Sequence, residues 1–233
     1  SARCPVFHLG TVAGLFISLV ASISGSTILN MWWDRDIDAR MGRTSRRPLA
    51  AGKINPKEAL WVGLTLSAAG VGLAMAMDVL YGLIIFAGLF FDVVVYSMWL
   101  KRRTCWSIVW GGISGGMPIL AGRALGLGEV DWIAVMLSFG ILFWIPTHIL
   151  TFSMRYYDDY RAAGVPTFPS TYGFDFTRAT IAIASILAAL AMAAAPLGIG
   201  MAWGFLRLLG VMSAGLLVLA FATTFRPSER INY

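Results

Sequence analysis

Charge is what this chain has least of. Of its 233 residues only 13% are Asp, Glu, Lys or Arg, against 58% hydrophobic and a mean hydropathy of +0.74. A soluble domain of this length cannot hide so much apolar surface in one core, so ordinary globular folding is excluded. Cysteine is also scarce. Cys4 and Cys105 fall on opposite sides of a membrane in the topology below, which argues against a disulfide and excludes a metal site built from thiolates. An internal repeat is missing too, and that counts against a transporter of the inverted-repeat kind. The chain begins at Ser1 without a signal-peptide pattern and runs almost directly into an apolar stretch, so it is expected to be an excerpt of something longer.

What the chain has in quantity is apolar length. About seven runs, near 10–29, 59–77, 81–100, 108–127, 132–153, 179–197 and 201–222, approach the roughly 20 residues that a helix needs to cross the hydrocarbon core. The expected fold is an all-α polytopic membrane protein, a single helical domain over residues 1–233. The fourth run is the weakest, because Gly111, Gly112, Gly115, Gly116 and Pro118 crowd its middle; such residues are tolerated where helices pack closely or line a cavity. If the loop after the first run is cytoplasmic, loops 30–58, 101–107, 154–178 and the tail after 222 share that side and hold 15 of the 18 Lys and Arg, leaving Arg3, Arg123 and Arg207. The basic balance then reflects topology, and no nucleic-acid partner is implied.

Asn30, Asp34 and Asp38 recur every four residues where the first run meets this basic loop. On a helix that interval stacks three oxygen-bearing side chains on one face, while Asp36 points roughly the other way. Carboxylates at a membrane boundary suit a hard divalent cation that itself carries phosphate. Five basic residues between Arg40 and Lys53, among them Arg43 and Arg47, follow around the helix breakers Pro48 and Gly52. They either grip phosphate oxygens or serve as topogenic charges beside anionic lipid. Asp158 and Asp159 form a second acidic cluster on the same side, about 100° apart on a helix. Arg155, three and four residues earlier, has the spacing of an ordinary intrahelical ion pair. Two residues lie inside apolar runs. Asp92, nine residues before Lys101, sits about 13 Å into the membrane at α-helical rise and should face the bundle interior, with Tyr96 one turn on; its alternative role is a structural hydrogen bond or ion pair. His148 follows Pro146 near the end of the fifth run, and a lone His is more often a satisfied polar group than a ligand.

Taken in order, Asn30-x3-Asp34-x3-Asp38 and Arg43-Thr-x-x-Arg-Pro-Leu-x-x-Gly-Lys53 resemble the first aspartate motif of the UbiA superfamily of intramembrane prenyltransferases. Tyr96-Ser-Met-Trp-Leu-Lys-Arg-Arg-Thr104, Trp144-Ile-Pro-Thr-His148 and Asp158-Asp-Tyr-Arg-Ala-Ala-Gly-Val-Pro166 are most similar to its heme-modifying branch. The resemblance implies about nine helices around a central cavity, so one helix is expected to be missing at each end. It also implies Mg²⁺, two ions, at Asn30, Asp34, Asp38, Asp158 and Asp159. The diphosphate of an isoprenyl donor would lie against Arg43, Arg47, Lys53, Lys101 and Arg102. Asp92, Tyr96 and His148 would face the substrates, His148 as a ligand to heme iron. The implied reaction is transfer of farnesyl to protoheme IX within the cell membrane. An aromatic acid or a glycerol phosphate lipid is the alternative acceptor, because this chain departs from the heme branch around Tyr156, Tyr157 and Cys105. A transporter whose acidic clusters bind a coupling cation is the alternative class.

Overall fold

The computed structural model describes residues 8–199 together with 210, 211, 214, 215 and 218, so most of the seventh predicted span lies outside the described residues. The first six spans each coincide with a helix. α1 is Leu9–Trp33, α3 Pro56–Met77, α5 Ser107–Leu127, α6 Trp132–Arg155 and α8 Phe168–Ile199; short helices α2 (Arg35–Arg40) and α7 (Tyr157–Ala162) follow α1 and α6. α4 (Val79–Leu89) continues without a break into a π-helical segment, Phe90–Leu100. Among the described residues five rods are long and apolar enough to cross a membrane, Val79–Leu100 being one. α5 falls short by composition, yet it is an unbroken helix through Pro118. The protein is an integral membrane helical bundle.

Local chemistry sets the helix ends. Asn55 accepts from the Lys57 N–H at 3.0 Å with Pro56 in the first turn, Asp78 accepts from Tyr81 N at 2.8 Å, and Asp131 accepts from Ala134 N at 2.9 Å. Gly128 ends α5 in the left-handed region at φ 78°. α8 starts eleven residues before its predicted span. Ser170 Oγ accepts from Thr167 N at 2.9 Å, which fixes its first turn, and Gly173 (φ 83°) kinks it before it enters the bundle.

Packing relies on small residues. Ser18, Ser22 and Gly25 of α1 lie against Gly63, Ser67 and Gly70 of α3, so closely that a Cβ added to Gly25 would meet Ser67 N at 2.6 Å and one added to Gly70 would meet Ser22 N at 2.6 Å. Tyr81 is fully buried at the centre, its hydroxyl 2.7 Å from Ser18 Oγ, within a cluster of Ala74, Ile84, Ile85, Ala121 and Ala124. Cys105 is buried without a bond to sulfur.

Candidate active site

The three loops expected to share one side do meet there. Ile37 and Met41 pack against Ala163 and Val165, holding the loop after α2 onto the region of α7. Asp159 then accepts from the backbone N–H groups of Gly42 and Arg43, both at 3.3 Å. Both acidic clusters therefore border one mouth of the bundle. They do not converge on a point: among the described residues no group of three or more Asp, Glu, His or Cys side chains comes together.

Each carboxylate of the first cluster faces a cation instead. Asp34, buried at the end of α1, bonds to Lys101, which is carried by the π-helical segment. Asp38, also buried, is 2.8 Å from Arg47 Nη1, and its carbonyl accepts from Thr44 Oγ1 at 3.0 Å. Asp36 points away, as its spacing requires, and takes both Arg102 nitrogens at 2.7 and 2.9 Å. That bond is the main reason its carboxyl lies below the usual carboxylate range. Arg102 is turned toward Asp36 and away from the mouth. Burial pushes the Asp34 carboxyl up, and the Lys101 ammonium offsets part of the rise. The second oxygen of Asp34, Oδ1, is buried and makes no hydrogen bond. An acceptor so placed is costly to leave unpaired, and an oxygen-seeking cation is the partner it fits.

Deeper along α1, Asn30 is held from both ends of its amide. Its Nδ2 donates to Asp92 Oδ2 at 2.8 Å and its Oδ1 accepts from Ser97 at 2.8 Å. Asp92 Oδ2 also accepts from Ser26. Asp92 thus faces the bundle interior, as expected, but it stands less deep than the α-helical rise implies, because a π-helix packs more residues into each turn. Two cavities border it. One, of about 250 Å³, runs down past Ser22, Ser26, Gly88, Gly115 and Pro118; the other, of about 160 Å³, lies between Tyr96, Gly111, Ile145 and Ile149.

The remaining candidates divide. The Arg43 guanidinium lies 5.8 and 5.4 Å from the ring centres of Phe152 and Tyr156. Below these, His148 stacks on Trp144 at 5.4 Å and 4° and meets Phe152 edge-on at 4.9 Å, so that Trp144, His148, Phe152 and Tyr156 make one column of rings along α6. A cavity of about 280 Å³ opens beside His148, Phe152 and Arg155. Lys53 is exposed beyond the Gly52 turn, Asp158 is exposed on α7, and the Lys101 ammonium lies over the Tyr96 ring at 5.5 Å. The predicted spacing of Arg155 to Asp158 and Asp159 is interrupted where α6 ends at Tyr156, and Arg155 lies over the Tyr156 ring. Sequence reasoning missed Ser26, Ser97 and the ring column. Ser26 extends the Asn30 interval by one step and was open to that rule; Ser97 was not, since an α-helical register turns it away.

A membrane bundle that gathers carboxylates and cations at one mouth, above polar groups bordering interior cavities, has the architecture of an intramembrane enzyme acting on a charged, lipophilic substrate. The chain belongs to the UbiA prenyltransferase family, whose sequence profile matches residues 2–231, and it is a membrane-embedded prenyltransferase. It is 42% identical over 224 residues to the protoheme IX farnesyltransferase of Pyrobaculum arsenaticum, covering 96% of this chain and 78% of that protein. Identity is 44% over 209 residues to the protein of that name from Azorhizobium caulinodans, covering 88% and 67%. In fold it is similar to a UbiA homolog from Aeropyrum pernix K1, with TM-score 0.80 at 19% identity over 97% of this chain and 86% of that one. It is likewise similar to a UbiA homolog from Archaeoglobus fulgidus bound to DMAPP and Mg²⁺, with TM-score 0.75 at 18% identity, covering 95% and 77%.

Proposed function

We propose that this chain is a single transmembrane prenyltransferase domain that moves a farnesyl group from its diphosphate to protoheme IX, at a mouth facing the cytoplasm. The observation that carries the reading is the pairing of Asp34 with Lys101 and Asp38 with Arg47 around an unbonded, buried Asp34 oxygen. Acids and bases set side by side are what a complex of diphosphate and divalent metal requires, since each has a partner waiting. Farnesyl and heme rest on the names of the similar proteins from Pyrobaculum arsenaticum and Azorhizobium caulinodans. The cytoplasmic side rests on the basic loops.

Asn30, Asp34 and Asp38 would hold one Mg²⁺ and Asp158 and Asp159 a second. When bound, Mg²⁺ supplies positive charge beside the leaving diphosphate. Lys101, Arg47, Arg43 and Lys53 bind diphosphate oxygens and stabilise the charge that builds as the allylic C–O bond breaks, whereas Arg102, expected among them, is held by Asp36. The apolar bundle keeps water from the prenyl cation. The ring column of α6 offers a flat acceptor a stacking face, and His148 ligates its iron.

The deciding experiment incubates the protein with labelled farnesyl diphosphate, Mg²⁺ and, in parallel, hemin, a hydroxybenzoic acid and a glycerol phosphate lipid. A farnesylated porphyrin, with a saturable Soret shift that changes in His148→Ala, is expected. Prenylation of the phenolic acid or the lipid with no heme binding would overturn the acceptor while leaving the enzyme class intact.

A further inference from the structure

Asp92, Ser97 and Lys101 all meet α1, at Ser26 and Asn30, at Asn30, and at Asp34 respectively. Their partners on α1 are spaced by four residues, as an α-helical face demands. The spacing on the other side is five and then four, which no α-helix aligns. At about 100° per residue, the nine residues from Asp92 to Lys101 turn about 900° and leave the two on opposite faces. With i→i+5 bonding and roughly 4.4 residues per turn, the same nine residues turn roughly 740° and leave them within about 20° of one face. Phe90–Leu100 is π-helical throughout, and the Lys101 N–H bonds to Tyr96 O at 2.8 Å in that pattern. Three consecutive valines, Val93 to Val95, crowd an α-helix and weaken its hold here. Gly111 of α5 makes room for the broader coil, since a Cβ there would come within 2.8 Å of the Tyr96 ring.

The geometry points to the π winding as the register device of the donor end of the site, with Asp92 as a positioning residue. Asp92 fixes the Asn30 amide and the level at which α1 faces the segment, and the extra residues per turn deliver Lys101 to Asp34 at the mouth. Long π runs are rare and costly in bonding geometry, and here the winding brings an interior carboxylate and a mouth ammonium into one line. The inference builds on the donor site proposed above, but its first test needs no activity.

Two double variants, Ser26→Cys with Asp92→Cys and Asp34→Cys with Lys101→Cys, are made in a background of Cys4→Ser and Cys105→Ser and treated in membranes with a short bifunctional methanethiosulfonate, whose spacer replaces the reach of the side chains removed. Both pairs are expected to crosslink. Crosslinking of only one pair, or of neither, would overturn the register, because an α-helix admits at most one of them. The positioning role is tested by Asp92→Ala and Asp92→Asn in the otherwise natural chain. An amide oxygen accepts the same bonds, so Asn should keep KM for farnesyl diphosphate within about two-fold of the natural protein, whereas Ala should raise it about ten-fold with a smaller change in kcat. Asn failing as badly as Ala, or Ala behaving like the natural protein, would overturn it. If hemin proves the wrong acceptor, the crosslinks still report.

Discussion

α1 packs with two faces by opposite means. Toward α3 it presents Ser18, Ser22 and Gly25, and the backbones approach so closely that the hydroxyls of Ser22 and Ser67 are buried without hydrogen-bond partners. That seam is held by shape: dispersion between close backbones, which small side chains permit. Toward the π-helical segment the same helix presents Ser26, Asn30 and Asp34, which meet it through hydrogen bonds and an ion pair. One face holds the fold and the other carries the chemistry, so damage to each should appear in a different measurement.

The largest effect is expected on the charged face. Asp34→Ala should lower prenyl transfer roughly 10²–10³-fold, as loss of a fixed charged group at a developing charge does. It should still fold in detergent, at a melting temperature lowered by the Lys101 ammonium left unpaired, and chelation of divalent metal should abolish activity in the variant and the natural protein alike. Asp158→Ala should also impair transfer, less steeply, because Asp158 is exposed while Asp34 is buried. Full activity in chelator, or in both variants, would rule out the two-cluster metal site.

The seam should answer in the reverse sense. Gly25→Ala or Gly70→Ala forces a Cβ against backbone nitrogen and should cost about 1–3 kcal/mol by overpacking, read as a lower melting temperature in detergent. Turnover per folded molecule should hardly change. A variant that melts normally but loses activity would erase the contrast between the faces.

A third measurement sharpens the charged face by pH. Because burial raises the Asp34 carboxyl and Lys101 offsets part of that rise, Mg²⁺ affinity should begin to fall on acidification while still above the ordinary carboxylate range. Removing the ammonium in Lys101→Met should move that limb to higher pH. Calorimetric titration of Mg²⁺ across pH checks both, and a limb that moves down in the variant would contradict the pairing.

The smallest effect belongs to the far end of the bundle. The Arg123 hydrogen bonds hold the Asp131 carboxyl down to about 2, at 2.6 and 2.7 Å. A depressed folded value adds stability that is present above the unfolded value near 3.8 and is lost as pH falls from there toward 2. Asp131→Asn should therefore lower the melting temperature by roughly 1–3 °C at pH 7, a surface pair being weak, and the difference should vanish near pH 2.

The sequence by itself determined that this is a membrane bundle, where six spans run, and that two acidic clusters lie on one side, because apolar length, basic-loop asymmetry and four-residue spacing are local properties that the chain states directly. It also marked Asp92 as interior, since a charge in an apolar run must find company. Only the tertiary structure decided that Asp34 faces Lys101 while Arg102 turns to Asp36, and that Asp159 caps the loop at Gly42 and Arg43. Those pairings join residues about 70 to 120 positions apart, and periodicity within one helix carries no information about which neighbour it meets. The π winding lies between the two. Its valines and its five-then-four spacing are written in the sequence, but they acquire meaning only once α1 stands opposite with its own interval of four.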